Sequence, residues 1–104
     1  MNFNELLLKA INASINGGHA VMEIYSSDFA VENKDDKSPL TLADKNCNQV
    51  IENYLKSTRI PLLSEEGIEI SYQERKVWEY YWLIDPLDGT KEFIKRNGEF
   101  TVNI

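Results

Sequence analysis

The apolar run Tyr80 to Ile84 passes directly into Asp85-Pro86-Leu87-Asp88-Gly89-Thr90, and this junction limits what the chain can become more than any other stretch. Tyr80 to Ile84 is aromatic or aliphatic throughout, the pattern of a strand buried on both faces. Two carboxylates and a hydroxyl then crowd the point where the strand gives way to a short helix, expected from near Gly89 to about Lys95. Buried there without partners, such charges would each be strongly destabilising. A hard divalent cation removes that cost, and Mg²⁺ takes oxygen ligands, commonly one or two carboxylates with waters and a substrate phosphate. The amides of Gly89, Thr90 and Lys91 at the helix start are available to a phosphate oxygen, and Gly89 has no side chain to block the approach. Asp-Pro and Asp-Gly are also ordinary turn dipeptides, but the whole hexapeptide behind an apolar strand favours a metal site. Its spacing differs from an EF-hand loop, whose acidic residues fall at the first, third and fifth positions. It differs equally from an aspartyl-phosphate nucleophile motif, in which a single residue separates the aspartates.

Ser64-Glu65-Glu66-Gly67 is a second acidic cluster, behind the short apolar run Ile60 to Leu63. Alone it reads as a solvated turn. If its strand neighbours Tyr80 to Ile84 in one sheet, Glu65 lands beside Asp85. Glu65, Asp85 and Asp88, with the Leu87 carbonyl, could then hold two cations roughly 3.5–4 Å apart, as two-metal phosphoryl-transfer sites do. Asp44 has two readings. In the first turn of a helix it complements the helix dipole for about 0.3–1 kcal/mol; beside Thr90 it would position and deprotonate a water. Spacing does not choose between them.

The rest of the chain supplies a frame. Phe3 to Tyr25 has helical period, with Phe3, Leu7, Ala10, Ile11, Ser14, Val21 and Tyr25 on the expected buried face and Gly17-Gly18 marking a bend or a close helix contact. Phe29 to Asn33 suits a short strand, and Lys34 to Pro39 a solvated loop. A second helix is expected from an N-cap at Thr41 to about Lys56, with Ala43, Cys47, Val50, Ile51, Tyr54 and Leu55 as its stripe. Gln73 to Trp78 suits a helical turn, Asn97-Gly98 a tight turn, and Phe100 to Ile104 an alternating strand. His19 has no companion histidine, and Cys47 reads as core. The 104 residues suit one domain, and 42% hydrophobic residues suffice for a core. The net charge of −6 argues against nucleic acid as a partner. No apolar stretch reaches the roughly 20 residues of a membrane helix.

Trp82 to Phe93 resembles the signature of the inositol monophosphatase superfamily of metal-dependent, lithium-sensitive phosphatases. Ser38-Pro39-Leu40-Thr41-Leu42-Ala43-Asp44 and Leu63-Ser64-Glu65-Glu66 resemble two upstream motifs of that family, in the same order. Lys91-Glu92-Phe93 and the following residues to Ile104 are most similar to the bacterial CysQ-type branch, the 3'(2'),5'-bisphosphate nucleotidases of sulfur assimilation. The resemblance implies an α/β (α+β) fold: part of a layered αβαβα sandwich with two long helices against a mainly antiparallel sheet. It implies Mg²⁺-dependent hydrolysis of 3'-phosphoadenosine 5'-phosphate to AMP and phosphate, in a cytoplasmic setting, either free or peripheral to the inner membrane. By the same resemblance Glu65, Asp85 and the Leu87 carbonyl hold one Mg²⁺, and Asp85 and Asp88 a second. Asp44, Thr90 and Glu65 are the implied catalytic residues. Glu65, Leu87, Asp88, Gly89, Thr90 and Lys91 line the substrate, with Lys95 one turn beyond Lys91. Lys34 to Lys37 corresponds to a loop over the site.

Family enzymes are more than twice this long and carry a further metal-binding aspartate in a Trp-Asp pair. Trp78 and Trp82 are the only tryptophans here and neither precedes an aspartate, so the expectation is an N-terminal portion of one phosphatase domain. An inositol or sugar phosphatase is the first competing reading. The second is a catalytically silent piece that binds metal weakly, or associates with its own copies through an open sheet edge.

Overall fold

The computed structural model describes residues 2–27 and 39–104. The strand expected at Phe29 to Asn33 and the loop at Lys34 to Lys37 lie outside the described residues. Helix α1 (Phe3–Tyr25) starts at Asn2, whose side chain accepts from the Asn4 and Glu5 amides, satisfying two orphan donors. Helix α2 (Pro39–Leu55) begins two residues before the expected Thr41 cap. Proline suits a first helical position because its fixed φ is helical and its missing N–H would be unpaired anyway. A 3-10 turn, Lys56–Thr58, ends α2. Then come β1 (Leu62–Ser64), α3 (Tyr72–Arg75), β2 (Trp82–Asp88), α4 (Thr90–Lys95) and β3 (Thr101–Asn103).

The sheet has the order β1-β2-β3. β1 runs parallel to β2, with Leu62 opposite Trp82 and Ser64 opposite Ile84. β3 runs antiparallel to β2. Among the described residues the sheet is therefore mixed, with one parallel and one antiparallel pairing. The connection from β1 back to β2 runs through α3, which lets the second strand start at the same end as the first.

The two long helices pack on each other and α2 packs on β2. On α2 the fully buried positions are Ala43, Cys47, Ile51 and Leu55, one per turn; Val50 is half-buried and Tyr54 exposed. The α1 stripe differs from the expected one. Ala13, Gly17 and Val21 are buried, whereas Phe3, Leu7 and Ile11 are exposed. Backbone proximity explains the choice: a Cβ on Gly17 would stand 3.0 Å from Cys47 Sγ and 3.1 Å from an Ile51 carbon. Small residues let the helices approach, and the larger apolar face of α1 is left outward. β2 also departs from expectation. It starts at Trp82, and only Ile84, Pro86 and Leu87 are buried, while Tyr81 and Leu83 are more than half exposed. α2 covers one face of β2 and α1 reaches β3, while on the other face of β2 Leu83 is left more than half exposed.

Two further contacts brace this frame. The Trp82 indole N–H donates to Thr58 Oγ1, which itself donates to the Leu55 carbonyl, tying the end of α2 to the start of β2. Arg96 follows α4 in the left-handed region, φ 58°, where a non-glycine residue is strained. Its guanidinium offsets this by donating to the carbonyls of Tyr25, at 3.2 Å, and Ser27, at 2.7 Å. α1 has no basic residue in its last turn, so Arg96 supplies the positive charge that its C-terminus favours. Phe93, fully buried, packs with Tyr25 and Phe100 at ring-centroid distances of 5.5 and 5.4 Å.

Gly89 links β2 to α4 with φ +93°, and a Cβ there would meet the Glu99 carbonyl oxygen at 2.9 Å. The obstacle is backbone and cannot swing aside. Gly89→Ala is expected to lower the stability measured by urea unfolding by about 1–3 kcal/mol, whereas Gly98→Ala, with positive φ but open space around it, loses less. Equal losses at the two glycines would show that φ alone sets the cost.

Candidate active site

Parallel pairing of β1 with β2 does what the site requires. Ser64 stands opposite Ile84, and the Glu65 amide donates to the Ile84 carbonyl at 3.4 Å. Glu65 therefore leaves β1 beside Asp85. The turn behind it closes through the Gly67 amide and the Ser64 carbonyl, 3.2 Å apart.

Asp44 approaches from α2. Its helix begins at Pro39, so Asp44 lies beyond the first turn, which contains no acidic residue. The dipole reading of Asp44 thus falls. The side chain is half-buried, and its carboxyl is pushed up from the ordinary 3.8 to about 7. Burial is the largest cause, followed by the negative charges of Glu66, Asp85 and Glu65. α2, the turn after β1 and the middle of β2 thus bring four carboxylates to one corner.

The hexapeptide does not behave as one regular strand. Asp85 pairs with Asn103 and Asp88 with Thr101, so two residues of β2, Pro86 and Leu87, face one of β3. This is a β-bulge, at a proline that has no ladder N–H to give. Asp88 is exposed and is not among the charges that act on Asp44. Leu87 is buried. Gly89 caps α4, and Thr90 and Lys91 form its exposed first turn, with Lys95 exposed one turn on. Among the described residues no three His, Cys, Asp or Glu side chains stand close enough together to hold a metal ion. The donor set is nonetheless all oxygen and short of positive charge, which suits Mg²⁺ in kind.

His19 is exposed. Cys47 is fully buried, and burial together with the Asp44 charge pushes its thiol up to about 12, the state of an inert core cysteine. Two residues that the sequence motifs assign no role also bear on the site. Glu66 exerts the largest charge effect on Asp44; its place next to Glu65 was the available signal. Asn48 is buried and hydrogen-bonded to Ser64; its signal was the four-residue spacing from Asp44, which puts both on one helix face.

The Asp44 environment has a consequence for stability. The folded chain holds the Asp44 proton where the unfolded chain has released it, so this group's contribution is lost as pH rises from about 4 to about 7. Asp44→Asn removes the dependence. The stability difference between variant and wild type, from urea midpoints, is expected to shift towards the variant across that window and level off above it. A difference independent of pH would show that the carboxyl titrates normally.

Residues 3–104 match the inositol monophosphatase family. The chain is 50% identical over 93 residues to a 3'(2'),5'-bisphosphate nucleotidase CysQ of Escherichia coli K12, covering 86% of this chain and 37% of that protein. It is 42% identical over 106 residues to the protein of the same name from Buchnera aphidicola, covering 98% and 40%. The crystal structure of CysQ from Bacteroides thetaiotaomicron superposes on 97% of this chain and 37% of its own length, with TM-score 0.91 and 46% identity. An inositol monophosphatase from Zymomonas mobilis shares the fold, with TM-score 0.73 at 22% identity. The chain spans well under half the length of these relatives. No helix among the described residues is long and apolar enough to cross a membrane. A match running from Phe3 to the last residue, joined to a TM-score of 0.91 with a family member, means that the chain belongs to the inositol monophosphatase family.

Proposed function

We propose that this chain carries part of the active site of a Mg²⁺-dependent phosphate monoester hydrolase that converts 3'-phosphoadenosine 5'-phosphate to AMP and phosphate in the cytoplasm. The observation that carries the reading is the strand register that sets Ser64 opposite Ile84 and brings Glu65 out beside Asp85, close to an Asp44 carboxyl that burial first, and then the charges of Glu66, Asp85 and Glu65, push up. Four carboxylates gathered at one corner ask for a cation. The choice of substrate is supported by relatives at 40–50% identity that bear the name 3'(2'),5'-bisphosphate nucleotidase.

In this reading Glu65, Asp85 and the Leu87 carbonyl hold one Mg²⁺, and Asp85 with Asp88 a second. Bound Mg²⁺ supplies Lewis acidity towards the phosphoryl oxygens and the leaving ribose oxygen. Gly89, Thr90 and Lys91 receive the scissile phosphate, where Gly89 brings backbone close without a side chain. Asp44 and the Thr90 hydroxyl orient a water for attack in line with the ribose oxygen, and Asp44 takes its proton.

A chimera tests this. The chain replaces the matched portion of the Escherichia coli relative, and phosphate release is followed with saturating Mg²⁺. Turnover of 3'-phosphoadenosine 5'-phosphate well above that of inositol 1-phosphate is expected, and Asp85→Asn should lower it by roughly a hundredfold or more. A preference for inositol 1-phosphate would reassign the substrate. A folded chimera whose Asp85→Asn form keeps wild-type turnover would overturn the metal assignment.

A further inference from the structure

Asn48 is a buried polar side chain on α2, 8% exposed, among otherwise apolar core residues. Burying an amide is unfavourable unless it is hydrogen-bonded, so its partner matters. Ser64 Oγ donates to Asn48 Oδ1 at 2.5 Å. With its proton committed there, the same hydroxyl accepts from the Glu66 amide at 3.2 Å. A directed chain therefore runs from α2 through Ser64 into the backbone of the turn that carries Glu65 and Glu66. Hydrogen bonds in such a series polarise and strengthen one another. Asn48 lies one turn from Asp44 on the same helix face, so one face of α2 presents a carboxylate to this turn and also anchors it.

We propose that Asn48 is a positioning residue, which acts through Ser64 to hold the Glu65–Glu66 turn against α2 at the spacing from Asp44 and Asp85 that cation binding needs. The proposal rests on the metal-site reading above. Four carboxylates repel, and the Glu65 amide's bond to the Ile84 carbonyl holds only the start of the exposed turn; without a second tether its Glu66 end would relax away from Asp44. The buried amide opposes that drift before any cation arrives. This is the way groups behind the ligands tune a metal site: they fix ligand direction without touching the ion.

The test uses the chimera with the Escherichia coli relative described above, with Mn²⁺ alone as probe. Binding is read from the electron paramagnetic resonance of free Mn²⁺, and the turn from amide hydrogen exchange at Glu65, Glu66 and Gly67. Asn48→Ala and Ser64→Ala are each expected to weaken Mn²⁺ binding roughly tenfold and to speed exchange in the turn, with cooperative melting retained. The double variant should be no worse than either single one, as members of one chain of bonds are. Ser64→Thr keeps the hydroxyl and should restore both readouts. Faster exchange with unchanged Mn²⁺ affinity would reduce Asn48 to a structural residue and overturn the positioning role. Unchanged exchange would overturn the tether itself. Asp85→Asn serves as the separate control: if it leaves Mn²⁺ binding intact, or if the unsubstituted chimera binds none, the metal-site reading falls and the positioning role falls with it.

Discussion

The register of β1 on β2 governs the molecule. Ser64 stands opposite Ile84 in parallel, so the chain that leaves β1 and the acidic part of β2 emerge at the same place and in the same direction. An antiparallel pairing, or a slip of one residue, would send Glu65 to another edge or another face. The register in turn relies on α2, whose buried row Ala43, Cys47, Ile51 and Leu55 lies over Ile84 and Leu87 in one core. Burying each large member of that row contributes roughly 1.5–3 kcal/mol. The helix that stabilises the sheet therefore also delivers Asp44 to the acidic corner.

Stability and site chemistry oppose each other at that corner. Packing draws α2 down onto the strands, and the carboxylates carried by the packed elements resist. At Asp44 burial first, and then the charges of Glu66, Asp85 and Glu65, push the carboxyl up to about 7. The bulge at Pro86–Leu87 and the tight backbone at Gly89 belong to the same balance, because both bend the chain sharply where β2 leaves the core. Arg96 closes the C-terminal end of α1 by donating to the Tyr25 and Ser27 carbonyls. The strained residue after α4 and the unneutralised end of α1 thereby meet in a single contact.

Much of the site was legible from local patterns. The hexapeptide after an apolar run marked the end of β2, and Ser64-Glu65-Glu66 marked the end of β1. Given that the two strands are neighbours, their meeting followed from strand geometry alone. The α2 stripe was legible because Ala43, Cys47, Ile51 and Leu55 recur at helical spacing. The α1 stripe was legible only in part: Val21 and a close contact at Gly17 were expected, but the larger apolar residues suggested a face that the close approach at Ala13 and Gly17 leaves outward. The breadth of burial around β2 was misread for a related reason. Tyr81 and Leu83 look like core, but what covers a strand's second face is not written in the strand.

The sequence by itself determined the elements, the family and the residue types gathered at the acidic corner, since these depend on periodicity, turn chemistry and short motifs, all local properties. Only the tertiary structure decided that β1 and β2 run parallel, that Asp44 sits beyond the first turn and among three other carboxylates, and that a buried Asn48 grips Ser64. Each of these depends on distances between segments far apart in the chain, and such distances follow from packing and hydrogen-bond geometry, which no local pattern encodes.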